Sequence, residues 1–268
     1  MSNHIETKRI LSVYEKQQLL KYNLSEEAFL KHGEKPIEYF TSWVDFADLT
    51  FKVNEQVLIP RIETEELVNS AFQLFKESKK KEAKVLDLGT GCGAIALALI
   101  NYLSQANYLN KHWNFYLIDQ SAAALKVARF NYRHLLATLL DKEKVKINFS
   151  KSNLLDQISS NFQFDFVLAN LPYIPSQEIN HLSPSVKNFE PLLALDGGES
   201  GFELIAAALR QLLKKNLLAE DAILIFETDA SHDCHFIKNN YPDLLNKFKF
   251  KFIKDQFERQ RFLQITIL

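Results

Sequence analysis

Val85-Leu86-Asp87-Leu88-Gly89-Thr90-Gly91-Cys92-Gly93-Ala94-Ile95-Ala96 decides the fold. A short strand-like run, Val85–Leu88, meets three glycines at alternate positions, and an apolar helix-like run from Ala94 to Leu103 follows. The order is strand, tight turn, helix. Glycines at such a turn let the backbone bend sharply and approach a ligand that a Cβ would hold off. Open α/β sheets bind ligands there, at the carboxyl ends of their strands. A glycine pattern alone also fits dinucleotide binders, so it specifies the architecture better than the ligand. Asp87 is a carboxylate inside an apolar strand, where an unpaired charge is costly. It is read as ordering the glycine turn or reaching a ligand amino group.

Downstream, the alternation continues. Strands are predicted at Phe115–Ile118, Val145–Phe149, Phe164–Ala169 and Ala222–Phe226, with helices at Ala122–Leu136 and Phe202–Leu213. Phe248–Ile253 and Phe262–Leu268 close the chain as two strands joined by a charged loop. Alternation of this kind implies a parallel sheet covered by helices on both faces. A short connection between the final strands cannot make a parallel crossover, so the last strand is antiparallel. Upstream, Ile10, Leu11, Tyr14, Leu19 and Leu20 have helical spacing. Ser25, with Glu26 and Glu27 behind it, starts a second helix that Gly33 ends. Alternation over residues 43–59 predicts a small hairpin. From Thr64 a helix runs through Leu67, Val68, Ala71, Phe72 and Phe75 into Lys79-Lys80-Lys81, read as a solvated helix end that complements the dipole. The expected division is a helical unit with a hairpin linker at 1–56 and an α/β domain at 57–268.

A chain of 268 residues has room for both units. Its hydrophobic share of 47% is enough to bury a sizeable core. A net charge of −1 argues against a surface built to neutralise phosphates, so no stable nucleic-acid partner is expected. Cys92 and Cys234, without paired-cysteine spacing, offer neither a disulfide framework nor a zinc ribbon, which fits a reducing cytoplasm. The run Met1–Arg9 lacks the basic-then-apolar order of a signal peptide, and no uncharged stretch nears the roughly 18 residues of a membrane span. The chain is therefore expected to be soluble and cytoplasmic, with no membrane partner.

Two positions carry chemistry. Asp119 stands directly after the second strand, where a carboxylate can accept hydrogen bonds from both hydroxyls of a ribose. It also stands where it could cap the helix beginning near Ser121. Asn170-Leu171-Pro172-Tyr173 follows the strand Phe164–Ala169. It resembles the Asn-Pro-Pro-Tyr signature of amino- and amide-methylating enzymes. An amide nitrogen is a poor nucleophile because its lone pair is delocalised into the carbonyl. The Asn170 side-chain oxygen and a nearby backbone carbonyl can hold its two N–H bonds and aim the lone pair, a positional and electrostatic gain. Tyr173 would stack on the flat target. Leu171 stands where that signature usually has proline. Its carbonyl survives the change and Pro172 keeps it extended, but it adds an N–H that needs a partner. A plain turn is the lesser alternative for these four residues. Asp229, His232, Asp233, Cys234 and His235 form a second polar cluster. His232 and His235 are spaced to share a helix face, yet soft and hard ligands at one exposed helix start suit a polar cap better than a metal, and no metal is expected.

Together these features resemble the release factor glutamine methyltransferases over nearly the whole chain. Pro36-Ile37-Glu38-Tyr39, Phe46, Phe51 and Val57–Glu65 are similar to that family's linker signature, with Ile62 for a usual proline and Ser42 for a usual glycine. Phe189-Glu190-Pro191, Ala194–Gly198, Gly201, Glu227, Lys254-Asp255 and Arg259, Arg261 and Phe262 match its later motifs. The resemblance implies a Rossmann-like methyltransferase sheet and a small helical N-terminal domain that helps hold the protein substrate. It implies methyl transfer from S-adenosylmethionine to the glutamine of the Gly-Gly-Gln motif in class 1 peptide chain release factors. By position, Asp87, Gly89, Thr90, Gly91, Cys92, Gly93, Asp119, Asn153, Leu154 and Asn170 would hold the cofactor, Asn153 replacing a frequent aspartate near the adenine. Asn170, Leu171, Pro172 and Tyr173, with Glu190 and Arg61, would hold the substrate. Three rival readings share parts of this pattern. They are a ribosomal-protein glutamine methyltransferase, a nucleic-acid adenine-N6 methyltransferase needing a flipped base, and a cofactor-binding protein inactivated at Leu171.

Overall fold

The computed structural model describes residues 9–78, 80–108, 112–137, 140, 144–159 and 162–268. Lys79 and most of the amino-terminal run read above, Met1–Lys8, lie outside them. The chain opens with three short helices, α1 (Val13–Lys21), α2 (Glu26–Leu30) and α3 (Ile37–Thr41), then a hairpin of β1 (Trp43–Phe46) and β2 (Leu49–Lys52). The start expected at Ser25 is capped, and α1 begins on a capping Ser12, which leaves Ile10 and Leu11 ahead of the helix. Ser12 and Glu15 form a reciprocal capping box on α1, and the Ser25 hydroxyl accepts from the Ala28 N–H on α2. Ser42, where the resembling family has glycine, ends α3 in the left-handed region at φ 68°.

The large unit follows as α4 (Ile62–Glu77), β3 (Glu82–Leu88), α5 (Ala94–Gln105), β4 (His112–Asp119), α6 (Ala122–Leu135), β5 (Val145–Lys151), β6 (Phe164–Ala169) and α7 (Pro184–Lys187). It finishes with α8 (Glu203–Lys214), β7 (Leu218–Glu227), α9 (Cys234–Asn240), α10 (Pro242–Leu245), β8 (Phe248–Lys254) and β9 (Gln260–Ile267). The described residues form a seven-stranded sheet in the order β5-β4-β3-β6-β7-β9-β8. β9 slots between β7 and β8 and is antiparallel to both, so the predicted α/β class with an antiparallel last strand holds. Strand order reverses between β3 and β6, and a crevice opens at such a reversal.

Apolar periodicity explains the layers. α5 is apolar all round and buried, whereas α6 buries only Ala124, Leu125, Val127, Ala128 and Asn131 along one stripe. One core cluster lies under α4 and α5 and takes in Tyr39, Val44, Phe46, Phe51, Val53 and Val57 from the hairpin region. A second fills the opposite face under α8. Leu11, Leu19, Phe29 and Ile37 make a small cluster of their own among the first helices. No helix among the described residues is long and apolar enough to cross a membrane.

The lysine run departs from its sequence reading. α4 stops at Glu77 and the Ser78 N–H closes onto the Leu74 and Phe75 carbonyls, so Lys80 and Lys81 lie beyond the helix. Lys80 is ion-paired at 2.5 Å to both Asp165 and Asp221. Asp165 also accepts from the Lys84 N–H at 2.7 Å. The side chain thus ties the starts of three neighbouring strands together instead of standing free in water.

Candidate active site

The carboxyl ends of β3, β4 and β6 open onto one cleft of about 260 Å³. Gly89, Thr90, Gly91 and Cys92 line it after β3, Asp119 after β4, Asn153 and Leu154 after β5, and Asn170, Leu171 and Pro172 after β6. Ten of the residues singled out in the sequence therefore share one wall system. Asp87, Gly93, Tyr173, Arg61 and Glu190 do not line the cleft; each stands behind a residue that does or beside its rim.

The glycine turn is held by its own backbone and by two carboxylates. The Gly89 and Thr90 N–H groups both donate to the Ile118 carbonyl, at 2.8 and 2.9 Å. Asp87 Oδ2 accepts from the Thr90 hydroxyl at 2.7 Å and the Ala96 N–H at 3.2 Å, fastening the turn to α5. Its Oδ1 is buried without a partner. Burial pushes the Asp87 carboxyl up to about 7. Asp119 Oδ2 accepts from the Gly91 N–H at 2.9 Å and Oδ1 from the Ser121 N–H at 2.8 Å. The cap of α6 is Ser121, whose hydroxyl accepts from Ala124, so Asp119 is a turn organiser with lone pairs left over toward the cleft. Burial raises its carboxyl above the usual range.

The second end of the cleft is the loop after β6. Asn170 donates from Nδ2 to the Thr64 hydroxyl at 3.1 Å, and Thr64 donates to Glu227 Oε2 at 2.7 Å. Tyr173 donates its phenol to Glu227 Oε1 at 3.0 Å, while Arg261 Nη1 reaches the same phenol oxygen at 3.5 Å. Burial and the neighbouring Glu227 push the Tyr173 phenol up. Leu171 is buried with its side chain on the glycine turn, where a Cβ on Gly89 would come within 2.9 Å of Leu171 Cδ2.

A strap of later chain presses on this loop. The Ile174 N–H donates to the Leu195 carbonyl at 3.2 Å and Gly197 donates back to the Ile174 carbonyl at 2.9 Å. A Cβ on Gly201 would stand 2.2 Å from the Tyr173 carbonyl oxygen. Arg61 bonds Glu190 at 2.5 Å, and Glu190 also accepts from the Ile59 N–H at 3.4 Å, which locks the linker to the segment ahead of that strap. Burial raises the Glu190 carboxyl, and Arg61 opposes the rise.

Sequence reasoning gave no site role to three contributors, although the linker and Glu227 were among the family motifs it matched. Linker residues Gln56, Val57, Leu58 and Pro60 line the cleft directly. Glu227 ends an apolar strand just as Asp87 interrupts one, so the same signal was available for it. Asn131 sits on the buried stripe of α6 and donates from Nδ2 to the carbonyls of Lys52 and Cys92, at 3.0 and 2.9 Å, while its Oδ1 accepts from the Lys52 N–H at 2.8 Å. The polar cluster after β7 resolves differently from a shared helix face. Asp233 caps α9, and His232 precedes that helix, buried between the Thr228 hydroxyl and the Ser200 carbonyl at 2.6 and 2.9 Å. His235 is exposed beside Asn239.

Residues 79–238 match the family model described as a methyltransferase domain. A release factor glutamine methyltransferase of Flavobacterium psychrophilum is 33% identical over 237 residues, covering 87% of this chain and 76% of that protein. One from Lactococcus lactis subsp. lactis is 36% identical over 181 residues, covering 68% of this chain and 60% of that protein. The chain spans less than two thirds of the length of most of the curated relatives it matches. Among solved structures, the N-terminal domain of human METTL16 in complex with SAH has a TM-score of 0.51 at 14% identity, covering 81% of this chain and 75% of that one. That likeness concerns the fold alone.

Proposed function

The chain belongs to the release factor glutamine methyltransferase family, and on that premise we propose that it transfers a methyl group from S-adenosylmethionine to a glutamine side-chain amide, that of the Gly-Gly-Gln motif in class 1 peptide chain release factors. One observation carries the reading: Gly89, Gly91 and Asp119 share a single cleft with Asn170, Leu171 and Pro172. A nucleoside end and an amide-holding end thus face a common space.

The residues present fit the cofactor. Gly91 has φ +55° and nothing within 4 Å of the place where a Cβ would stand, so the turn leaves room for a ligand. Asp119 has acceptor capacity for ribose hydroxyls, and Asn153 can donate to and accept from an adenine edge. The unpartnered Oδ1 of Asp87 suits a ligand amino group or a turn-ordering role through Thr90. When bound, the cofactor supplies an electrophilic methyl group.

The chain's own part is positional. Asn170 Oδ1 and the Leu171 carbonyl accept the two N–H bonds of the target amide and orient its nitrogen. Leu171 keeps that carbonyl in place of the usual proline, and its buried side chain packs against Gly89. Tyr173 and the Arg61–Glu190 pair brace the substrate end from behind, through Glu227 and Ile59. Residues 1–56, with Ile10, Val13 and Leu20 exposed at 90, 74 and 83%, serve as the unit that grips the release factor.

The test is transfer of labelled methyl from S-adenosylmethionine to a purified class 1 release factor, with the motif glutamine present or replaced. Label that disappears with the glutamine is expected. Label that persists on the replaced protein, or none on either while the cofactor still binds, defeats the assignment.

A further inference from the structure

Asn170 must present an oxygen, and nothing in its own covalent structure decides which end of the carboxamide faces the cleft. The two ends differ only by O and NH₂, so the surrounding donors and acceptors set the orientation. Those surroundings form a one-way chain. Glu227, at the end of β7, has one carboxylate oxygen facing Thr64 at 2.7 Å and the other facing Tyr173 at 3.0 Å. A carboxylate only accepts, so Thr64 gives it the hydroxyl proton. Thr64 then offers Asn170 a lone pair and no second proton. Its 3.1 Å partner on Asn170 is therefore the NH₂ end, leaving Oδ1 for the cleft. Thr64 and Glu227 are 3 and 1% exposed, so water does not compete for these bonds.

We infer that Thr64 and Glu227 are positioning residues that fix the amide of Asn170 oxygen-outward, with Glu227 also holding the far end of the same loop through Tyr173. The inference rests on Asn170 serving as the acceptor proposed above. In this arrangement β7 and α4, which carry no reacting group, set the polarity of the site. Reversing one proton donor along the chain turns an acceptor toward the target into a donor that repels its N–H.

Thr64→Val keeps the side-chain shape and removes the lone pair, while Thr64→Ser keeps it. Thr64→Val is expected to lower kcat for release-factor methylation about tenfold or more, with S-adenosylhomocysteine affinity within about threefold, and Thr64→Ser to restore the rate. In an Asn170→Asp background either oxygen accepts whichever way the group is turned, so Thr64→Val is expected to cost less than about threefold there. An equal loss in both backgrounds, a loss confined to cofactor affinity, or no recovery with serine overturns the inference. The orientation is also read without turnover. Nitrogen-15 NMR of the Asn170 carboxamide is expected to show protected NH₂ protons in the wild type and loss of that protection in Thr64→Val. Unprotected protons in the wild type overturn the positioning role. Protected protons without methylation of the release factor instead fault the proposed substrate.

Discussion

Gly201→Ala and Gly91→Ala add the same methyl group on two sides of the cleft, and the structure sets very different penalties for them. At Gly201 the backbone has φ +84°, and the new Cβ would stand 2.2 Å from the Tyr173 oxygen, 3.0 Å from its carbonyl carbon and 3.2 Å from Pro175 Cδ. Two of those atoms are backbone, so relief requires moving the strap away from the loop. Left-handed backbone costs a side chain about 1–2 kcal/mol, and overpacking a close contact adds about 1–3 kcal/mol. At Gly91 the first cost applies at φ +55° but the second does not, since nothing lies within 4 Å. For a chain of this size each 1 kcal/mol lowers Tm by about 2–4 °C. Gly201→Ala is therefore expected to melt roughly 4–20 °C lower than wild type and Gly91→Ala roughly 2–8 °C lower. Calorimetric melting, paired with titration of S-adenosylhomocysteine, separates them further. The methyl on Gly91 projects toward the cleft and should cut affinity, whereas Gly201→Ala should spare binding and abolish methyl transfer. If Gly201→Ala melted no lower than Gly91→Ala, the close contact between strap and loop would be refuted.

Two further outcomes test the carboxylates. Asp87 rises from 3.8 to about 7 on folding, so the folded chain holds an extra proton between those values and wild-type stability declines as pH climbs through that window. Asp87→Asn has no such proton and should gain on wild type by about 1.4 kcal/mol per unit across it; a stability difference that is the same at about pH 4.5 and about pH 7.5 rejects the burial argument. Arg61→Ala strands Glu190, whose side chain is 1% exposed, beside the Ile59 N–H alone. Urea unfolding should show a loss of about 3–5 kcal/mol at neutral pH. The loss should shrink as acid neutralises Glu190, and a pH-independent loss would tell against a buried ion pair.

The sheet was legible because each central strand is a short apolar run bounded by turn residues, and because Asp87, Asp119 and Asn170 are polar groups placed where those runs end. What escaped was set by partners distant in sequence. The hairpin turn at Ala47 and Asp48 has φ values of 48° and 62°, without the Asn-Gly pair such a turn favours, and the Ala47 N–H is held by Glu65 instead. Lys80 looks like any solvated lysine until Asp165 and Asp221 arrive from strands 85 or more residues away. Thr64 and Glu227 are 163 residues apart, and no local pattern pairs them. Residues 195–201 have no apolar period, so their strap over the reacting loop shows only in the glycines it needs.

The single amide of Asn131 gives the amino-terminal hairpin and the glycine turn a common rivet. Lys52 and Cys92 are pinned to one buried side chain, so neither can move away from the other without breaking a bond to Asn131. A substitution that removes the Asn131 amide therefore frees three backbone groups at once, two on β2 and one on the glycine turn.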